Sequence, residues 1–183
     1  MATAITHALV AGAFASFGPQ NVSRTKLAVS MAILAILPDI DVIGFRFGIP
    51  YGDVFGHRGL THSLVFAFFA ALVWILVVFR SVTLFGRVWW RIFGLLCLAA
   101  ASHGLLDAFT DAGLGIGFFI PFDNTRYFFP WRPLATSPLS VAAFLNGPAL
   151  RILVNELIWV GIPMACVLLV IHGVRAFWRR RSA

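Results

Sequence analysis

Long apolar runs separated by short polar or glycine-rich breaks organise this chain. Five runs stand out, at roughly 3–17, 27–38, 63–79, 89–109 and 152–174. Each is rich in Ala, Leu, Val, Ile and Phe and predicts a helix. The last three reach or approach the ~20 residues needed to cross a hydrocarbon core ~30 Å thick. The first two are short for a full crossing and are expected to tilt, to lie partly within the membrane, or to pack on the other helices. Ala99, Ala100, Ala101, Ser102 and Gly104 suit close approach of neighbouring helices. Pro163 is expected to kink the last helix.

The breaks fall into two kinds. Residues 18–26 and 80–91 are short and carry Arg24 and Lys26, then Arg80, Arg87 and Arg91. Residues 42–61 and 111–149 are longer and hold most of the Gly and Pro. The second of these is aromatic, with Phe118, Phe119, Phe122, Tyr127, Phe128, Phe129 and Trp131. Such a belt suits the lipid–water interface or a cap over a site. There is no internal repeat and no low-complexity tract.

Composition sharpens this picture. The chain is 60% hydrophobic and only 11% charged, with a mean hydropathy of +0.91, against ~25% charged residues in ordinary soluble domains. The expected class is an all-α, polytopic membrane bundle of about five transmembrane or membrane-embedded helices, forming one domain over residues 1–183. Net charge is +7, which would suit nucleic acid were the cations gathered in a patch. They flank helices instead, and Arg175, Arg179, Arg180 and Arg181 follow the last apolar run. No nucleic-acid partner is expected. Cys97 and Cys166 both lie in apolar runs and read as small hydrophobic residues.

Charge also orients the chain. With a cytoplasmic C-terminus, alternation through five helices puts nine Lys and Arg inside and five outside (Arg46, Arg58, Arg126, Arg132, Arg151). The positive-inside rule therefore favours N-out, C-in. On that topology Asp39 and Asp41, His57 and His62, His103 and Asp107, His7 and Glu156 all converge on the outer side.

That convergence carries the candidate chemistry. Only seven acidic residues serve the chain, and an acid among apolar helices is functional by default. His103 and Asp107, four apart, share a helix face. His57 and His62 flank a turn at Gly59. His plus carboxylate donors suit zinc, with manganese or iron as alternatives. The donor count allows two or three ions. The candidate metal ligands are His7, Asp39, Asp41, His57, His62, His103, Asp107 and Glu156. Thr61, Ser63, Thr110 and Asp111 are placed to orient them. Arg58 is expected either to bind a phosphate or to pair with an Asp, and Arg126 and Arg132 are further phosphate-binding candidates. His172, at the opposite side beside the terminal arginines, is not expected to be a ligand.

These motifs resemble a known family. His7, Pro38-Asp39-Ile40-Asp41, His57-Arg58-Gly59-x-Thr61-His62-Ser63 and His103-x-x-x-Asp107-x-x-Thr110-x-x-Gly113 resemble the YdjM-like membrane-bound metal-dependent hydrolases. That is a bacterial inner-membrane family with a LexA-regulated member. The likeness extends to residues 126–133 and 155–157. More distantly, the pattern is similar to the all-helical zinc-dependent phospholipase C and single-strand nuclease fold. That fold uses His, Asp and a His-x-x-x-Asp helix around clustered zinc. Its later histidines are missing here, and Glu156 is the candidate to stand in for part of them.

The resemblance implies a metal-dependent hydrolase. Clustered metals suit phosphate ester hydrolysis by a metal-activated water. At a membrane surface the expected substrate is a lipid phosphate ester, a phospholipid or polyprenyl phosphate. Asp39, Asp107 and Arg58 are the expected catalytic residues. The expected location is the bacterial inner membrane. Two other classes fit the residues: a metal or ion transporter, and a structural or regulatory membrane protein with a metal tying its helices together.

Overall fold

The computed structural model describes residues 1–181; the side chains of Arg179 and Arg180, counted above in the basic flank, lie outside the described residues. Helix α1 (Ala4–Ala13) runs on as a 3-10 turn over Phe14–Phe17, and α2 (Arg24–Ile36) as a 3-10 stretch over Leu37–Phe47. A 3-10 turn at Leu60–His62 leads into α3 (Leu64–Val78), followed by α4 (Arg87–Ala108) and a short α5 (Val141–Leu145). Helix α6 (Ala149–Glu156) passes through a π turn at Leu157–Gly161 into α7 (Ile162–Arg181). Among the described residues the regular structure is helical, with isolated bridges pairing Thr110 with Leu134 and Ile116 with Tyr127. The all-α expectation holds.

Three helical runs among the described residues are long and apolar enough to cross a membrane: Arg24–Phe47, Arg87–Ala108 and Ala149–Trp178. Ala4–Phe17 and Leu64–Val78 are shorter apolar helices. The run expected to end near residue 38 is thus 24 residues long. Pro38 interrupts the α-type hydrogen bonding of α2, but its fixed φ suits the first turn of a new helical segment. The chain continues as 3-10 helix until Gly48 stops it in the left-handed conformation (φ 75°). In the last run the disturbance at Pro163 takes the form of a π turn. Pro163 has no N–H for the Trp159 carbonyl and its ring crowds it; one residue earlier, the Ile162 N–H reaches back to Leu157 O.

Helix α1 packs on α2, α2 on α4, and α4 on α3. Leu27, Met31 and Leu34 of α2, Ile75 of α3, and Trp89, Ile92 and Leu96 of α4 are at most 2% exposed. Ala11, Ala35, Ala71, Ala99 and Ala100 sit in the same core and let the backbones approach closely. The α6–α7 run stands apart. It meets α1 along the π turn, stacks Trp159 edge-on against Trp131, and leaves Leu169 and Val170 exposed.

The helices alternate in direction, so the bundle has two chemically different ends. At one end Arg91 donates from Nε and Nη2 to the Phe17 carbonyl at 3.0 and 2.7 Å. Arg175 lies 4.4 Å over the Phe17 ring, against which His172 also stacks. The start of α1 and α3 and the ends of α2 and α4 form the other end, where His7, His57, His62, His103, Asp39, Asp41 and Asp107 gather.

Candidate metal centre

Local structure aims each residue. His103 and Asp107 lie one turn apart on α4, and His7 lies on the second turn of α1 with its ring stacked on His103 at 3.9 Å. The 3-10 continuation of α2 presents Asp39 and Asp41. The turn through Gly59 sends His57 and His62 inward, with Arg58 in the left-handed region at φ 65°. The side chains of His7, His57, His62, His103, Asp41, Asp107 and Arg58 are at most 1% exposed; Asp39 is 11% exposed.

Hydrogen bonds settle which imidazole nitrogen is free. The His103 Nδ1 sits 2.7 Å from the Ala35 carbonyl, which only accepts, so Nδ1 carries the proton. The His57 Nδ1 donates to Asp41 Oδ1 at 2.7 Å. Thr61 Oγ1 donates to Asp41 Oδ2 at 2.6 Å, which leaves Thr61 Oγ1 and Asp41 Oδ2 as acceptors for the His62 Nδ1–H at 3.1 and 3.2 Å. Arg58 N–H adds a fourth donor to Asp41, at 3.3 Å. Asp41 therefore fixes the tautomer and orientation of two histidines, the arrangement that metal-binding imidazoles use.

The Nε2 atoms of His62 and His103 then present lone pairs to one another at 3.1 Å. Asp39 Oδ1 lies 3.3 Å from His103 Nε2 and 3.8 Å from His62 Nε2, and Asp107 Oδ2 lies 3.9 Å from each. Both Asp39 oxygens and Asp107 Oδ2 are buried without a hydrogen-bond partner. Donors ~2.05 Å from a tetrahedral zinc stand about 3.3 Å from one another, close to these separations. Counted over side chains, three carboxylates face one guanidinium in a closed space, and unpaired buried charge is costly. A divalent cation satisfies the lone pairs, the bare oxygens and the charge together. Asp39, His62, His103 and Asp107 thus form a buried group able to hold a divalent metal; Asp41, His57 and His62 form a second, sharing His62. In the second group the Asp41 oxygens are already taken by donors, whereas in the first the Asp39 oxygens and Asp107 Oδ2 are bare.

Burial pushes the His62 imidazole down to about 4, against the opposing pull of its Asp41 hydrogen bond. It stays neutral, the form a metal ligand needs.

The remaining expected residues are placed as follows. Arg58 donates from Nη1 to the carbonyls of Ala112 and Leu114 at 3.0 and 2.9 Å, and from Nη2 to Thr110 Oγ1 at 2.8 Å, with Nε 3.5 Å from Asp107 Oδ2. Arg58 thus stands beside Asp107. Thr110 passes the contact on by donating to the Asp107 carbonyl at 2.7 Å. Arg126 donates to the carbonyls of His57 and Asp53 at 3.0 and 2.8 Å. Arg132 is exposed, 4.7 Å over the Phe128 ring. Ser63 caps α3, accepting from Phe66 N–H at 3.0 Å. Asp111 accepts from Thr136 N–H and Oγ1 at 2.9 and 2.8 Å and does not reach an imidazole. It lies just past the end of α4, where Leu134 bridging to Thr110 brings residue 136 alongside. Glu156 accepts from Thr3 and Thr6 of α1 and joins neither metal-holding group.

Several participants carried no signal in the residue pattern. The Ala35 carbonyl sets the His103 tautomer, and Ala2 N–H donates to Asp107 Oδ1 at 2.7 Å; both are backbone groups. Tyr51 presents its ring edge-on to His57 at 5.2 Å, and a tyrosine in a glycine-rich loop does not announce this.

Comparison with known proteins places the chain among inner membrane proteins. The YdjM inner membrane protein family matches the chain over residues 1–180. The inner membrane protein YbcI of Escherichia coli (strain K12) is 36% identical over 186 residues, covering 99% of this chain and 100% of that protein. No solved structure matches.

Proposed function

Because the chain belongs to the YdjM inner membrane protein family, we propose that it is a membrane-embedded, metal-dependent hydrolase acting on a phosphate ester of a lipid, a phospholipid or a polyprenyl phosphate. One observation carries the lipid part of this reading. Asp39 is the one ligand with a partly exposed side chain (11%), its carboxylate oxygens being buried, and it lines a groove with Ile33, Ile36, Leu37 and Ile40. That groove lies on the membrane-crossing run Arg24–Phe47. A reacting group therefore approaches past aliphatic side chains, a route that suits a lipid and disfavours a free polar metabolite.

Asp39, His62, His103 and Asp107 would hold the metal, zinc on donor chemistry, with manganese or iron as alternatives. Asp41 and Thr61 hold His62 in its metal-facing tautomer, and Asp41 also anchors His57. When bound, such a metal supplies a Lewis acid and acidifies a coordinated water. Arg58 keeps Asp107 aimed inward and adds positive potential, while exposed Arg132 receives the substrate's phosphate oxygens. The ligand end faces the outside of the inner membrane and the C-terminus the cytoplasm, supported by the basic side chains at the opposite end.

The test is phosphate release from phosphatidic acid and a polyprenyl phosphate in mixed micelles, with metal content measured on the same samples. Wild type should contain metal and turn over lipid, and Asp107→Ala should lose both while remaining in the membrane. Full hydrolysis by Asp107→Ala overturns the assignment. The near-complete burial of the ligands favours a second reading, a metal that ties helices together. It predicts that chelation melts the protein and that no lipid is hydrolysed.

A further inference from the structure

The one glutamate of the chain, Glu156, closes α6 where the π turn begins. It is 2% exposed, yet it lies outside both groups able to hold a metal. Both of its carboxylate oxygens are hydrogen-bonded. Oε1 accepts from Thr3 N–H at 2.5 Å, and Oε2 accepts from Thr3 Oγ1 at 2.5 Å and Thr6 Oγ1 at 2.7 Å.

Those donors are the first turn of α1. Thr3 is its N-cap, accepting from Thr6 N–H at 3.3 Å. The first turn of α1 holds no acid of its own, so Glu156 supplies from another helix the negative charge that a helix N-terminus favours. The same short stretch meets the metal-holding residues. Ala2 N–H, one residue before the cap, donates to Asp107 Oδ1 at 2.7 Å. His7, one turn beyond the cap, stacks on His103 and brings Nε2 to 3.4 Å from Asp107 Oδ1.

We propose that Glu156 is a positioning residue for the metal centre: it clamps the start of α1 from the lipid-exposed α6–α7 run, so that Ala2 N–H and His7 hold Asp107 in its ligating orientation. This rests on the metal-centre reading and replaces direct ligation as the role of Glu156. Asp107 Oδ1 is turned to Ala2 and His7, which leaves Oδ2 toward His62 and His103. Releasing the clamp frees Asp107 to rotate and weakens the site without removing a ligand.

The experiment uses the full chain in detergent, as wild type, Glu156→Gln and Thr6→Val. Thr6→Val removes one donor to Glu156 and touches no metal-holding residue, so it keeps the test decisive where Glu156→Gln does not fold. Two readouts are taken: Co²⁺ affinity with the visible spectrum at saturation, and amide hydrogen exchange across residues 1–10. Both variants should bind Co²⁺ roughly ten- to a hundred-fold more weakly, the usual cost of losing an outer partner. Their saturated spectra should match wild type, and exchange at residues 1–10 should be faster with or without Co²⁺. A changed saturated spectrum in Glu156→Gln with unchanged affinity in Thr6→Val would mean that Glu156 is itself a ligand, and overturns the proposal. So do wild-type affinity and exchange in both variants. A wild type that binds no Co²⁺ fails differently, because it removes the metal-centre reading and this proposal with it.

Discussion

His62 and His103 point their Nε2 atoms at one another across 3.1 Å while the Nδ1 of each is engaged elsewhere. Two neutral imidazoles in these tautomers have nothing to share, because both nitrogens offer lone pairs. The pair is tolerable with a cation between the rings or with a proton on one of them. A neighbouring Asp39 and Asp107 with bare oxygens favour the cation.

Chelation should therefore destabilise the protein. A metal held at 100 times its dissociation constant adds about 2.7 kcal/mol to stability, and removing it exposes the facing lone pairs and the unpaired carboxylates. Thermal unfolding in detergent should move down by several degrees with EDTA and recover with added Zn²⁺. An unchanged melting curve would speak against metal at this site.

Burial of His62 should by itself make the metal-free fold less stable in mild acid. His62 is lowered by burial to about 4, against 6.5 in an unfolded chain. Between these values the unfolded state binds the extra proton, so stability rises with pH. The contribution of His62 is complete above pH ~6.5 and lost as pH falls toward ~4, on the order of 3 kcal/mol. The difference in melting temperature between chelated wild type and chelated His62→Gln across that window checks the sign.

Asp41→Asn should weaken the site without deleting it. Asp41 takes four donors, among them the Nδ1–H of His57 and of His62. Loss of such an outer carboxylate typically costs about 10–100-fold in metal affinity. Titration with Co²⁺ should show that loss with bound metal still reached at saturation, whereas His103→Ala should fail to saturate.

Arg58→Lys should be strongly destabilising despite conserving charge. The fully buried guanidinium serves two carbonyls and Thr110 at once, a fork that an ammonium cannot reproduce. Stranded buried acceptors cost about 1–3 kcal/mol each. Expression and melting temperature should both drop, and Asp107 should lose its contact with the Arg58 Nε.

Narrowing the aliphatic groove should separate access from chemistry. Ile36→Trp and Ile40→Trp crowd the approach to Asp39 without touching a ligand. Metal content should stay at the wild-type level while KM for a lipid phosphate rises severalfold. Equal kinetics in all three proteins would place access elsewhere.

Much of the fold was legible because burial in a membrane needs long apolar runs. The expected segments 63–79 and 89–109 correspond to Leu64–Val78 and Arg87–Ala108. Endings were less legible where one kind of helix becomes another. Composition does not distinguish the 3-10 continuation after Pro38 from a loop, and the π turn before Pro163 depends on how a missing hydrogen bond is absorbed. The candidate site stood out since His and Asp are conspicuous among apolar residues. Which of them meet, and through which atom, was not visible. Asp111 and Glu156 look alike as acids beside a cluster; one binds Thr136, the other Thr3 and Thr6.

The sequence by itself determined an all-helical membrane chain whose polar chemistry gathers at one end, because apolar run lengths and the placement of Arg and Lys are local properties. The tertiary structure decided the chemistry of each group. It gave His103 its free Nε2 through the carbonyl of Ala35, 68 residues away. It made Asp41 an orienting acceptor, and it set Glu156 against α1 across 153 residues. Tautomer, burial and hydrogen-bond partner are properties of the space around a side chain, and only packing defines that space.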